Sequence, residues 1–155
     1  MTVMKSRYRD GCFYCEHNQT QVERMVPIIP LDVSTFYLNR DQTHPGRAIV
    51  ALDWHVDELF ELTAPMRQAF IDDVAQAAAI LKEYTGASKI NYGIYGDTVS
   101  HLHFHLVPKL PSDADWDDAF VNNPSDVTPK SDAELAPMIN DLRKLVDQNY
   151  ETLRN

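Results

Sequence analysis

Residues His101-Leu102-His103-Phe104-His105-Leu106-Val107 set a histidine at every second position, with an apolar residue in each gap. A period of two belongs to a strand, so the three imidazoles share one sheet face and Leu102, Phe104 and Leu106 share the other. The apolar face has to be covered. The opposite face carries three rings with two nitrogens each, which makes poor core. It suits a nucleophile with its helpers, or a set of metal ligands. Half of the chain's six histidines lie in this one segment.

The remaining elements read around that strand. Residues 25–31 form a strand that Pro27 and Pro30 restrict to an edge or break. Residues 33–38 and 47–52 are β-branched, apolar and aromatic, two further strands separated by a turn holding Asn39, Asp41, Pro45 and Gly46. A short helical turn over 54–60 precedes Thr63, an N-cap. From 64 to about 84, Met66, Phe70, Val74, Ala77, Ala78 and Leu81 recur at helical spacing until Gly86 ends the run. Residues 88–95 and 102–108 are the fourth and fifth strands. An acidic loop, 111–131, leads to a C-terminal helix over 132–153, striped by Leu135, Met138, Ile139, Leu142, Leu145 and Val146. Residues 1–11 read as a flexible arm. The expected fold is α+β, an antiparallel sheet of about five strands with one long helix and a C-terminal helix, in a single domain spanning 1–155.

At 155 residues the chain is long enough to bury a real core. Its net charge of -9 disfavours nucleic-acid polymers and anionic membranes, both of which would repel it. A nucleotide ligand stays open, because its phosphates feel only a pocket's local field. No apolar run is long enough for a bilayer. The N-terminus carries Lys5, Arg7 and Arg9 without an apolar stretch, so no signal peptide is expected. Two cysteines, Cys12 and Cys15, fit a reducing cytoplasm better than a disulfide-stapled secreted domain.

His-x-His-x-His followed by two apolar residues resembles the signature of the histidine-triad (HIT) superfamily of nucleotide hydrolases and transferases. The resemblance extends to Asn91-Tyr92-Gly93, to Gly96-Asp97-Thr98-Val99, and to Gly46-Arg47-Ala48-Ile49-Val50 with His55. It implies that His103 attacks the α-phosphorus of a nucleoside phosphoanhydride or phosphoramidate, and that the nucleotidyl-histidine intermediate is then hydrolysed. Neutral imidazole, with an ordinary pKa of ~6.5, is a nucleophile at pH 7 without a dedicated base. His105 then serves as donor to phosphate oxygens, and His101 completes the triad. Gly96 lets backbone approach phosphate, Thr98 adds a hydroxyl, Asn91 an amide, and Asn39 stands where the family places an acidic ribose-binding residue. Two positions depart from the family pattern. Asp97 puts a carboxylate next to the expected phosphate, and Arg47 replaces a common histidine.

Cys12-x-x-Cys15 alone is a weak motif, compatible with metal, redox chemistry or chance. Some branches of the resembled superfamily, including galactose-1-phosphate uridylyltransferases, bind zinc through such a pair and two histidines. The matching positions are Cys12, Cys15, His55 and His101, a closed structural Cys2His2 site. No organic cofactor is implied. Plainer readings weigh against other residues. His17 and His44 read as solvated, Trp54 and Trp116 as packing residues, and Asp113 to Asp118 as a solvated loop. His55 reads equally as an ordinary helix-start histidine.

The resemblance favours a hydrolase acting on a dinucleoside polyphosphate or an adenylated amine, because uridylyltransferases have glutamine where this chain keeps His105. A nucleotidyltransferase or phosphorylase is the alternative enzyme. A nucleotide-binding protein with little turnover is the alternative from outside enzymology. The resemblance also implies a homodimer.

Overall fold

The computed structural model of the chain describes residues 7–154, with side chains to residue 149. Two short helices open it, α1 (Phe13–Glu16) and α2 (Gln19–Arg24), followed by strands β1 (Met25–Pro30), β2 (Ser34–Asn39) and β3 (Ala48–Leu52). A 3-10 turn, Leu59–Glu61, leads into the long helix α3 (Ala64–Thr85). Strands β4 (Lys89–Gly93) and β5 (His103–Lys109) come next, and α4 (Asp132–Arg154) ends the chain. The strands form one antiparallel sheet in the order β1-β2-β3-β5-β4. The expected α+β class and five-stranded sheet are therefore observed. Among the described residues, no helix is long and apolar enough to cross a membrane.

Local chemistry sets the element ends. Thr63 Oγ1 accepts the Met66 amide at 3.4 Å at the start of α3. Gly86 closes that helix at φ +68, a left-handed conformation that suits a residue without Cβ. Ser131 and Glu134 cap α4 reciprocally, with the Ser131 amide on Glu134 Oε2 at 2.8 Å and the Glu134 amide on Ser131 Oγ at 3.3 Å. Strand β1 is an edge, as its prolines require, and its register slips between Pro27 and Ile29.

Each face of the sheet has its own cluster. Leu38, Val50, Leu102 and Leu106 pack with Phe70, Ala77 and Leu81 of α3 and Leu135 and Leu142 of α4. Phe104 joins them with its ring 5.7 Å from that of Phe70. Helix α3 therefore covers the apolar side of β5, with α4 packed beside it on α3 and β1, and the histidine side is left open. There Phe13, Tyr14, Met25, Tyr37, Ile49 and Ala51 form a second, smaller cluster. Asp73, buried in α3, ties the β1–β2 turn to that helix. It accepts from the amides of Asp32 (3.2 Å) and Val33 (2.9 Å) and from Ser34 Oγ (2.7 Å).

Three segments differ from what their composition suggests. Six residues of the expected N-terminal arm lie outside the described residues. The next ones run against the body, with the Arg7 carbonyl accepting from the His55 amide at 2.7 Å and Arg9 paired with Asp57 at 3.0 Å. Phe13–Glu16 and Gln19–Arg24, to which the sequence reading assigns no element, are helical. The acidic run is not a merely solvated loop. Lys109, buried on β5, donates to the carbonyls of Asp115 (2.5 Å) and Asp118 (3.0 Å) and pairs with the Asp115 carboxylate at 3.1 Å. His44 is drawn into the same loop, 3.3 Å from the Val121 carbonyl and 3.5 Å from Asp115, where solvent exposure was expected.

Candidate active site and metal centre

Strand β5 pairs with β3 so that His103 stands opposite Ala51 and His105 opposite Ile49. Opposite residues share a face, so both rings rise beside Arg47, which immediately precedes β3. Above them lies a cavity of about 320 Å³, lined by Phe13, Tyr14, Asn39, Arg47, His103 and His105 among others. Asp97 and Thr98 also line it. Asn91 lies on the same face, opposite Val107 on β5, but outside the cavity lining. Gly96 is not a lining residue either, and a Cβ there would meet no protein atom within 4 Å, so no protein group requires the glycine.

The two rings differ in what holds them. His103 Nδ1 lies 2.6 Å from the His101 carbonyl oxygen. A carbonyl only accepts, so Nδ1 carries the proton and the Nε2 lone pair is free. Arg47 Nη2 donates to His105 Nδ1 at 3.2 Å. Burial pushes the pKa of His103 down against the help of that carbonyl. It takes His105 to about 3, with His103 and the Arg47 charge adding to the effect. Both rings are therefore neutral at pH 7. Asn39 Oδ1 is buried in the cavity wall without a hydrogen-bond partner, an acceptor suited to a ligand hydroxyl.

His101 turns away from the cavity towards the cysteines. Its Nε2 donates to the Leu52 carbonyl at 2.7 Å, leaving the Nδ1 lone pair 3.5 Å from Cys12 Sγ and 3.6 Å from Cys15 Sγ. His55 is arranged alike, with Nε2 donating to Asp57 at 2.9 Å and Nδ1 lying 3.5 Å from Cys15 Sγ. Asp57 stays ionised for that task. Ser100 Oγ, then His55 and Arg9, hold its carboxyl well below the usual carboxylate range. The four ligand atoms lie within 4.8 Å of one another. In a tetrahedral zinc site, bonds of ~2.3 Å to sulfur and ~2.05 Å to nitrogen put S and N about 3.5–3.6 Å apart. The observed spacings match, so the donor set fits a metal such as zinc.

A family model described as HIT domain matches residues 19–112. The chain belongs to the HIT family. Its fold is similar to that of a HIT protein from Sinorhizobium meliloti 1021, at 26% identity over 82% of this chain and 93% of that one, with a TM-score of 0.74. A histidine triad protein from Bradyrhizobium japonicum shares the fold at 21% identity, covering 83% and 96% of the two chains with a TM-score of 0.73. So does the diadenosine triphosphate hydrolase of Plasmodium falciparum, at 15% identity, 80% and 78% coverage and a TM-score of 0.61. No curated protein matches the chain.

Several cavity residues of this HIT domain were not visible beforehand. Tyr14, between the two cysteines, packs its ring 5.0 Å from that of His101 and 5.2 Å from that of His103. The turn that presents the thiols therefore also floors the cavity. Asn122 comes from the acidic loop, and its neighbour Phe120, outside the lining itself, packs on the lining residues His105 and Arg47. Phe120 lies 6.4 Å from the His105 ring, and Asn122 accepts from Arg47. Gly93 has a steric reason, since a Cβ there would fall 2.8 Å from Tyr95 and 2.9 Å from Phe120.

Proposed function

We propose that this protein is a nucleotide hydrolase that cleaves a nucleotidyl phosphoanhydride or phosphoramidate, such as a dinucleoside polyphosphate, through a nucleotidyl-histidine intermediate on His103. One observation carries the reading. The His103 ring is fixed through Nδ1 on the His101 carbonyl and makes no other hydrogen bond among the described residues, so its Nε2 lone pair is unengaged in a residue that lines the cavity. A neutral imidazole with that tautomer is a ready nucleophile for phosphorus.

In the first step the lone pair forms an N–P bond while the bond from phosphorus to the leaving oxygen or nitrogen breaks. The leaving group departs with that electron pair and takes up a proton. Water then attacks the same phosphorus, the N–P bond breaks, and the mononucleotide leaves with His103 neutral again. His105 donates through Nε2–H to a phosphate oxygen, and Thr98 adds a hydroxyl at the cavity edge. Asn39 takes a ribose hydroxyl on its unpaired Oδ1. Asn91 lies on the triad face beyond His105, so its amide meets the leaving side of an extended substrate. Gly96 leaves open space for backbone approach. The activity of the Plasmodium falciparum neighbour agrees with this substrate class.

Cys12, Cys15, His55 and His101 would hold zinc in the same reading. Bound by these four side chains, zinc would serve a structural role rather than a catalytic one. Ligation through His101 would steady the carbonyl on which the nucleophile is oriented. A homodimer and a cytoplasmic location complete the proposal. The deciding experiment is incubation of wild type and His103→Ala with a dinucleoside polyphosphate. Mononucleotide release is expected only from wild type, with binding retained by the variant. Retention of even about a tenth of kcat by His103→Ala would exclude covalent catalysis at this residue.

A further inference from the structure

Arg47 is 4% exposed and has no carboxylate within 4.0 Å among the described residues. The groups in direct contact with it are neutral: the Asn122 carbonyl and Oδ1, each at 2.8 Å, His105 Nδ1 at 3.2 Å, and the face of Phe120 at 5.3 Å. The nearest negative influence, Asp41 across the cavity lining, acts only at longer range and does not offset the burial. Its Nε is buried with no hydrogen-bond partner. Arg40, which also lines the cavity, is by contrast paired with Asp132 at 2.6 Å. A buried guanidinium is costly unless something negative compensates it. The cavity that Arg47 borders is where such an anion would lie.

The contact with His105 also has a fixed sense. Guanidinium has five N–H donors and no acceptor, so His105 Nδ1 must be the acceptor. A neutral ring accepting at Nδ1 carries its proton on Nε2, and His105 makes no other hydrogen bond among the described residues. The residue that departs from the family pattern thus sets both the charge of the site and the direction of its donor.

We infer that Arg47 is the positioning residue for the substrate's phosphoryl group, locking His105 as its Nε2–H tautomer and supplying the positive charge that the anion pairs with. Asn122 and Phe120 of the acidic loop hold the guanidinium in place. The inference rests on the nucleotide reading above and adds what in this chain selects a phosphorylated ligand over its neutral counterpart.

The test compares binding of the four nucleoside 5′-monophosphates with that of the matching nucleosides, by calorimetry, in wild type, Arg47→Met and Arg47→Lys. Arg47→Met should weaken the monophosphates by roughly 10- to 100-fold, the range of charge-assisted hydrogen bonds, and leave nucleosides unchanged. Arg47→Lys, which keeps the charge, should recover most of the loss. Nitrogen-15 NMR of labelled histidine in the wild type should show His105 with the proton on Nε2. Equal weakening of nucleoside and monophosphate, or none, makes Arg47 a scaffold residue and overturns the inference. So does an Nδ1–H tautomer in the wild-type spectrum, which needs no variant to fold. Wild type that binds neither ligand class overturns the nucleotide reading itself and this inference with it.

Discussion

Chelation of the zinc proposed for the Cys12, Cys15, His55 and His101 group is the perturbation with the best-defined outcome. Both histidines already present an unprotonated Nδ1 to the thiols, His101 held by the Leu52 carbonyl and His55 by Asp57. The sulfur-to-nitrogen spacings of 3.5 to 3.6 Å are those that zinc would impose, so binding needs little rearrangement. Anything that binds the folded state alone stabilises it. At free zinc 100-fold above its dissociation constant the gain is about 2.7 kcal/mol. For a chain of this length that corresponds to a shift in Tm of about 5–10 °C. Scanning calorimetry of protein as purified, after chelation, and after re-addition of zinc measures it directly. Elemental analysis should find about one zinc per chain. Cys12→Ser should melt near the chelated protein and respond to neither treatment. A Tm that stays within about one degree across all three samples, with no zinc found, would leave the four side chains as a hydrogen-bonded cluster and refute the reasoning.

Gly46→Ala should destabilise the fold by about 2–4 kcal/mol in urea titrations, because φ is +85 and the new Cβ would fall 2.7 Å from Thr85 Cγ2; an unchanged midpoint would show that this turn relaxes freely. Asp73→Ala should cost about 2–4 kcal/mol by the same assay, since it leaves two amides and the Ser34 hydroxyl unpaired beneath α3; a loss below about 0.5 kcal/mol would mean that water replaces the carboxylate. Asp97→Asn should tighten a dinucleoside polyphosphate by about two- to threefold at low salt and not at high salt. Its carboxylate lines the cavity but is exposed, and equal affinity at low salt would place it outside the ligand's field.

The periodic and punctuated parts of this chain could be read without coordinates. The alternation around His103, the helical stripe from Phe70 to Leu81 and the stops at Thr63 and Gly86 are local signals that the structure reproduces, whereas Met66, read into the same stripe, is exposed in the first turn of the helix. Helices of four and six residues carry too few turns to show a stripe, which hid Phe13–Glu16 and Gln19–Arg24. The family resemblance, carried by the Cys12-Cys15 pair, His55 and the triad, named the four side chains that the structure brings together. The contacts that complete the cavity wall have no such signature. Arg47 and Asn122 meet across 75 positions, and nothing near either residue encodes the partner. Lys109, at the end of its strand, has no local signal of burial either. Only the path of the acidic run over it shows why it is buried.

That lysine has a consequence for how the cavity wall can change. Its ammonium grips main-chain carbonyls at Asp115 and Asp118, and a carbonyl is present whatever side chain a position bears. The anchor is thus largely indifferent to the sequence it holds, apart from the single carboxylate at Asp115. Drift or deliberate engineering can exchange the exposed Val121 and the exposed, cavity-lining Asn123 while the segment keeps its Lys109 moorings. A library randomised at those two positions on a constant Lys109 should consist mostly of folded proteins that differ in which ligand they accept. The exposed part of the loop is an interchangeable faceplate on a fixed chassis.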